Sequence, residues 1–302
     1  MSACVAKKEN PVEISDNQFE TDETRRESRI IERRAVSLSA TLLAYLKAKR
    51  LRLVRDMIKE IKSTGNIKQI RKVSPEERQR LIRLLSYYGI KQIDESGSEL
   101  AGQDWNMPNE FLAMYLDQKR SMIADLDSRI DTEFQGAVNR ALSKYLQETP
   151  APSVDEVARR LRMLLEVESQ NDAPSNLKVF GEKFTAAGLQ ARANMIARTE
   201  INAARNYGRV EAGKLIGRTH LIWIAMDDGR SGRRHHEALN GQIREMGKPF
   251  KNPKTGSEMM YPGDPDAVSR FRRGGRVLRS KFGAAGEIIN CRCSVRPISA
   301  EV

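Results

Sequence analysis

The sequence HLIWIAM, residues 220–226, is where the pattern of this chain changes from helix to strand. It is a short apolar run with strand character, and the sequence DDG at residues 227–229 bounds it as a turn. Further short elements follow, and we predict a helix at 233–239 and strands near 242–244, 257–261 and 288–295. The chain after residue 217 therefore predicts a compact α+β unit with a small antiparallel sheet.

Upstream of residue 218, the spacing of apolar residues is typical of long helices. Ser, Thr and Pro supply capping signals at the helix starts, and Gly or Pro marks the ends. The predicted helices span 21–63, 74–89, 109–147, 153–168 and 185–216. The first reads either as one helix or as two in tandem with a joint near 37–39. Residues 92–107 are predicted to be a connecting loop, with Trp105 as a packing anchor.

These elements predict a mainly α fold with long N-terminal helices and a C-terminal α+β domain. A chain of 302 residues is long enough for two structural units. We predict a disordered tail at 1–20, an extended helical region at 21–150 and a C-terminal domain at 151–302. That domain divides into a helical part, 151–217, and an α+β part, 218–302.

The charge of the chain favours an anionic partner, of which nucleic acid is the first candidate. The sequence has 52 Lys and Arg residues against 40 Asp and Glu, a formal net charge of +12. Much of this charge lies between residues 23 and 72, on the first predicted helix. Its basic side chains form either a solvated face or a surface that lies along phosphates or docks on an acidic protein ring.

The sequence contains no apolar run of the length that a membrane helix needs, and its N-terminus lacks the apolar core of a signal peptide. We therefore expect the protein to be made in a cytoplasm-like compartment and not to integrate into a membrane. Three cysteines cannot build a disulfide framework, and a disulfide within Cys291-Arg292-Cys293 would close a strained ring. Reduced thiols are the expectation.

The C-terminal part carries an ordered set of motif residues that extends from the last predicted helix to the end of the chain. In order, they are Arg198, Thr199, Glu200, Trp223, Asp228, Arg230, His236, Leu239, Gly241, the PGDP turn at 262–265, Asn290, Cys291, Arg292 and Cys293. This set resembles the phage Mu protein F-like, or head morphogenesis, family of minor head proteins over about residues 185–297. The spacing before the histidine is looser than usual, so His235 is an alternative match to His236.

The resemblance implies a non-enzymatic minor head protein of a tailed phage. Such a protein lies in the capsid interior of the virion, and in the host cytoplasm during assembly. Its implied partners are the portal protein, the major capsid or scaffold protein, and packaged double-stranded DNA. Two other functions remain open on residue types alone. They are a basic DNA-binding protein unrelated to capsids, and a metal-dependent nuclease or hydrolase that uses His236, Cys291 and Cys293.

The histidine and the two cysteines also leave two structural interpretations open. Together with Asp228 or His235, the residues His236, Cys291 and Cys293 are able to form a tetrahedral zinc site. A Cys-x-Cys pair on a strand places both thiols on one face. The other interpretation needs no cofactor. In it the cysteines are small buried residues, Arg292 faces a carboxylate, and a hydrogen bond of His236 holds the turn at Asp228.

Residues 269–281 form an insertion-like basic stretch without any acidic residue. Arginine side chains pair well with phosphate oxygens, so this stretch predicts a contact with the DNA backbone. The alternative is a solvated basic loop. The predicted contact residues are Arg270, Arg272, Arg273, Arg276, Arg279 and Lys281. Arg198 and Glu200 are expected to join their helix to the C-terminal sheet through buried polar pairs.

Overall fold

The computed structural model of the chain describes residues 19–64, 74–143, 153–166, 185–226, 236–273, 276–280 and 287–299. Five helices occupy α1 Phe19–Thr64, α2 Pro75–Ala101, α3 Asn109–Ser143, α4 Val154–Glu166 and α5 Ala186–Leu215. A short 3₁₀ helix spans His236–Leu239. The strands are β1 His220–Ile224, β2 Ile243–Glu245, β3 Phe250–Lys251, β4 Glu258–Met259, β5 Ser269–Arg273, β6 Arg276–Ser280 and β7 Ser294–Ile298.

The fold class is confirmed, because long N-terminal helices precede a small antiparallel sheet. The central strand β1 lies between β2 and β7, with Trp223 opposite Val295 and Ile222 opposite Ile243. Strands β3 and β4 form one hairpin, and β5 and β6 form another. In the described part of the chain, no helix has the length and apolar character needed to cross a membrane.

The sequence signals for helix starts are confirmed at three positions. The hydroxyls of Ser74, Ser153 and Thr185 each accept a hydrogen bond from a backbone N–H in the first turn of the helix that follows. Helix α1 is one continuous helix, so the joint considered near 37–39 does not occur; Leu38 and Ser39 are buried there. Gly217, with φ of +76°, supplies the left-handed residue beyond α5.

The predicted end of the second helix near Gly89 was wrong, and the predicted loop at 92–107 was wrong over 92–101, although residues 102–107 are not helical. Helix α2 continues through Gly89 and Gly97 to Ala101. Both glycines allow close packing, since a Cβ at Gly97 would lie 1.9 Å from the Trp105 ring and one at Gly89 would lie 3.1 Å from the Tyr115 hydroxyl. Trp105 is therefore a packing anchor, as predicted. It packs against Gly97 of α2, in a stretch where the sequence predicts a loop.

Helix α5 is the structural centre of the fold. One apolar cluster contains buried residues of all five helices, so it includes residues on both sides of position 150. A second cluster joins α2, α3 and α5 to Trp223, Phe250 and the other apolar residues of the C-terminal part. Small residues let α5 approach its neighbours closely; a Cβ at Gly208 would lie 2.4 Å from the carbonyl oxygen of Ile93 in α2. The proposed domain boundary at 150–151 lies outside the described residues and stays a prediction.

Two buried ionic groups fix the long helix α1 against the others. The Nζ of Lys49 lies 2.5 Å from Asp127 Oδ1 and 2.8 Å from Asp131 Oδ1 of α3. At the other end of α1, the carboxylate of Glu27 accepts hydrogen bonds from Arg205 and Arg209 of α5. Glu99 of α2 lies 2.6 Å from Arg205 Nη2. Arg205 is 1 % exposed, so this group belongs to the interior.

We expect the protein to lose stability in acid through Glu27. Burial alone would raise the pKa of Glu27, but Arg205 and Arg209 outweigh it and hold the pKa below the ordinary 4.5. A pKa that is lower in the folded state contributes stability above the unfolded value, and this contribution disappears as the pH falls through the folded value. Urea unfolding should therefore show a falling free energy of unfolding below about pH 4.5. Glu27→Gln should show a shallower fall, and an unchanged slope would contradict this role.

Candidate functional site

The histidine and the two C-terminal cysteines meet in the interior of the α+β part. The 3₁₀ helix carries His236, and the segment before β7 carries Cys291 and Cys293. The Nδ1 of His236 lies 3.5 Å from Cys291 Sγ and 3.4 Å from Cys293 Sγ. All three side chains are buried. Two sulfurs and one imidazole nitrogen therefore converge on one point.

The predicted strand at 288–295 was wrong in its first part, because β7 begins only at Ser294. Residues 287–288 are helical, and Asn290 has a left-handed φ of 57°. The backbone of Cys293 bonds to a side chain and not to a neighbouring strand, since Asn206 Nδ2 donates to its carbonyl. The two cysteines nevertheless both point into the interior, as alternation along an extended segment requires.

A carboxylate holds the other side of the histidine ring. His236 Nε2 lies 2.8 Å from Glu287 Oε2, and Ser257 Oγ donates to the second oxygen of Glu287. The Trp223 ring meets the His236 ring edge-on, with 5.6 Å between their centroids. The predicted residues Asp228, Arg230 and His235 lie outside the described residues. Their predicted roles at this site stay predictions.

The pKa shifts within the His236–Cys291–Cys293 group favour a protonated His236 beside an ionised Cys291. Burial lowers the pKa of His236, but hydrogen bonds with Cys291 and Glu287 outweigh it and raise that pKa to about 9. The pKa of Cys291 is well below the ordinary thiol value because Cys293 hydrogen-bonds to it, with His236 acting in the same direction. The pKa of Cys293 is raised by that same bond to Cys291 and by burial. Cys291 is therefore the thiol that ionises first.

The Arg-Thr-Glu motif of α5 connects three other parts of the fold. Arg198 Nη1 donates to Asn290 Oδ1 at 2.8 Å, and the Asn290 N–H donates to Thr199 Oγ1. The guanidinium groups of Arg198 and Arg292 both contact Glu32 of α1. Arg292 thus faces a carboxylate.

The expected connection of Glu200 to the C-terminal sheet was wrong. Its carboxylate pairs at 2.8 Å with Lys119 of α3, which is buried. Glu200 points to the side of α5 that faces α3, whereas Thr199, one residue earlier, faces the Asn290 turn. Successive residues of a helix are rotated by about 100° around its axis, so the side chains of Thr199 and Glu200 reach different partners.

Asn206 is a highly connected polar residue that the sequence did not single out. Its Nδ2 donates to the carbonyls of Pro262 and Cys293, and its Oδ1 accepts from the Val295 N–H. The same side chain thus joins α5 to the PGDP turn and to the segment that bears the cysteines. A polar residue on the Ala-rich, buried side of a helix is the signal that could have found it. Glu287, by contrast, gives no such signal.

Gly241 and the PGDP turn have clear structural roles. Gly241 has a φ of +71°, and its N–H donates to the Trp223 carbonyl next to the sheet. Gly263, with φ of +83°, lies against α5, where an added Cβ would be 2.9 Å from Ala203. Asp264 closes the turn by accepting hydrogen bonds from the N–H groups of Met260 and Asp266.

The basic stretch after this turn is not an irregular loop. Its backbone forms the β5–β6 hairpin, in which Arg270 pairs with Arg279 and Arg273 pairs with Arg276. Arg272 lies opposite Val277, and Lys281 lies outside the described residues. The backbone register therefore places arginine positions of the two strands opposite each other.

A family model described as phage Mu protein F like protein matches residues 135–296. The match covers more than half of the chain and includes α5, the sheet and the His236–Cys291–Cys293 group. Neither a curated protein nor a solved structure matches the chain.

Proposed function

Because this chain belongs to the phage Mu protein F-like family, we propose that it acts in phage head morphogenesis as a minor head protein of a tailed phage. The match over residues 135–296 is the observation that carries this proposal. We further propose that the protein lies inside the capsid, close to the portal, and contacts packaged DNA. The host cytoplasm is its location during assembly, where the scaffold or major capsid protein is a further partner.

The exposed side of α1 supports a contact with DNA. It carries basic residues near both ends of the helix, and mostly neutral residues between them. The exposed basic residues are Arg25, Arg26, Arg29, Arg33, Lys47, Arg55, Lys59 and Lys62. A row of cations along a rigid helix attracts a phosphate backbone without reading its sequence. This is the kind of contact expected of a protein that meets DNA of any sequence.

A cleft between α1 and α4 adds to this basic surface. Its volume is about 500 Å³, and its lining includes Arg55, Lys59, Lys62 and Arg162. Four cationic side chains around one cleft favour a phosphate or a carboxylate. The β5–β6 hairpin offers a second basic element at the other end of the chain, through the arginines that pair across its two strands.

Burial of the chemically reactive residues favours a structural function over catalysis. His236, Cys291 and Cys293 are each no more than 3 % exposed. A nucleophile or general base must come within hydrogen-bond distance of its substrate. These side chains instead contact one another, Glu287 and Trp223. These contacts support a role for the three side chains in stabilising the C-terminal domain.

The composition of phage particles tests the proposed role. The protein should be present in purified procapsids and in filled heads, and it should bind purified portal protein in solution. Cryo-EM of filled and emptied heads should place it beside the portal. Absence from every particle form, together with no affinity for portal or scaffold protein, would contradict the proposal. DNA binding alone would then favour a DNA-binding protein unrelated to capsids.

We expect loss of basic residues to weaken DNA binding in a salt-dependent manner. One variant replaces Arg29, Arg33, Arg55 and Lys59 of α1 by Gln, and the other replaces Arg270, Arg272, Arg276 and Arg279 of the hairpin. The plot of log K against log salt has a negative slope, and each phosphate contact removed should make it less steep by about 0.9. Fluorescence anisotropy with a labelled duplex at several salt concentrations measures this slope.

The control variant is Lys248→Gln combined with Lys251→Gln, two exposed lysines on either side of the start of β3. It removes positive charge from another surface and should leave the salt dependence almost unchanged. An unchanged slope in both four-residue variants would show that neither basic surface contacts DNA. A change in only one of them would identify the surface that does.

A further inference from the structure

The distances within the His236–Cys291–Cys293 group match those between ligands of a tetrahedral zinc ion. Zinc bonds of about 2.3 Å to sulfur and about 2.0–2.1 Å to nitrogen place two such ligand atoms about 3.6 Å apart. The observed separations from His236 Nδ1 are 3.5 Å to Cys291 Sγ and 3.4 Å to Cys293 Sγ. The three ligand atoms all lie within 4.8 Å of one another. Little movement would be needed for all three to reach one ion.

The surroundings of the histidine ring are those of a metal ligand. Metal-bound histidines usually donate their second ring N–H to a carboxylate, which fixes the tautomer and the orientation of the ring. His236 Nε2 has this partner in Glu287 Oε2, at 2.8 Å. Ser257 in turn donates to Glu287, so the carboxylate is itself held in place. With Nε2 as the donor, the lone pair of Nδ1 is directed at the two sulfurs.

Two N–H groups lie near the sulfur of Cys293. Among the described residues, the Trp223 indole Nε1 is buried without a hydrogen-bond partner. The indole N–H and the Met226 backbone N–H both lie within hydrogen-bond reach of the Cys293 side chain. A zinc-bound thiolate at Cys293 would give the indole a charged acceptor.

We propose that His236 Nδ1, Cys291 Sγ and Cys293 Sγ bind a structural zinc ion. Sulfur and imidazole ligands suit zinc, and a buried site favours a structural over a catalytic ion. Among the described residues this group has three protein ligands. A structural zinc ion would need a fourth ligand to complete the tetrahedron.

Such an ion would join separate parts of the C-terminal domain. His236 follows β1 in the chain, and the cysteines precede β7, which pairs with β1. The short strands of this region supply few backbone hydrogen bonds of their own. A zinc ion would fix the cysteine segment to the 3₁₀ helix and so hold the edge of the apolar cluster that contains Trp223 and Phe250.

Metal analysis of the full chain tests the proposal directly. The protein, purified under reducing conditions without chelator, should contain about one zinc per chain by elemental analysis. Cobalt substitution should give the thiolate-to-cobalt charge-transfer band and the intense d–d bands of a tetrahedral site. Cys291→Ser and Cys293→Ser should each lose bound metal, whereas Cys4→Ser and His220→Asn should retain it.

Substituting a ligand could release metal simply because the protein no longer folds. A variant that keeps all three ligands tests zinc binding without this ambiguity. Glu287→Gln keeps all three ligands and should weaken zinc binding about 10- to 100-fold, measured by competition with a chromophoric chelator. Glu237→Gln is the matched control, because Glu237 is next to His236 but exposed and paired with Lys254. It should leave the affinity unchanged.

Three results would overturn the proposal. The first is a reduced wild-type chain that contains no zinc and gives no cobalt spectrum. The second is wild-type zinc content in Cys293→Ser. The third is stoichiometric iron in place of zinc, which would overturn the identity of the ion. Absence of metal would leave the group as a hydrogen-bonded thiolate–imidazolium pair.

Discussion

Lys49→Met is expected to lower the free energy of unfolding by about 3–5 kcal/mol, the usual cost of removing one partner of a buried ion pair. Lys49 is 2 % exposed and lies between Asp127, which is fully buried, and Asp131. Met preserves most of the side-chain volume but leaves two neighbouring carboxylates without their cation. Denaturant unfolding of the purified variant, followed by circular dichroism, measures the loss.

Two further variants isolate the cause. Lys47→Met makes the same substitution two residues earlier on α1, at an exposed position, and should change the stability by at most about 0.5 kcal/mol. Adding Asp127→Asn to Lys49→Met removes one of the stranded charges and should restore part of the stability. Equal losses in Lys47→Met and Lys49→Met would show that the pair contributes nothing specific.

Asn206→Leu is the second substitution for which we expect a large effect, a loss of at least about 3 kcal/mol. It conserves volume but removes the hydrogen-bond partner of two buried carbonyls, those of Pro262 and Cys293, and of the Val295 N–H. Each buried polar group left without a partner costs about 1–3 kcal/mol. The loss should be local as well, so amide hydrogen exchange should accelerate most at residues 291–298.

Asn194→Leu on the same helix is the matched control. Asn194 is half-buried, and its partners are the side chains of Ser39, which is buried, and Gln190, which is half-buried and able to turn toward water. A loss of about 1 kcal/mol is expected there. If Asn206→Leu were no more harmful than Asn194→Leu, the role of Asn206 as the link between α5 and the cysteine segment would be wrong.

The helical part of the fold was largely predictable because its signals are local. Capping residues and apolar spacing located the starts of α2, α4 and α5 within a residue. The failure at Gly89 and Gly97 has a tertiary cause. A glycine that ends a helix and a glycine that admits a neighbouring ring look alike in sequence. Only the positions of Tyr115 and Trp105 distinguish the two cases.

The three residues of the His236–Cys291–Cys293 group were predictable, but the residues that hold them in place were not. Cys291, Cys293 and His236 stand out because few residue types bind metals. Glu287 and Asn206 do not stand out, since acidic and amide residues are common and their role depends on what they face. The β5–β6 hairpin was missed because its arginines hide the alternation that normally indicates strands.

The pairing of α5 with the N-terminal helices has a consequence for how phage genomes exchange parts. The family match begins at residue 135, yet several charged residues of α5 within it find their counter-ions earlier in the chain. Arg205 pairs with Glu27 and Glu99, Arg198 with Glu32, and Glu200 with Lys119. A recombination event that replaced only the C-terminal region would remove the partners of these charges, of which Arg205 and Lys119 are buried. The helices and the C-terminal domain should therefore be inherited as one module.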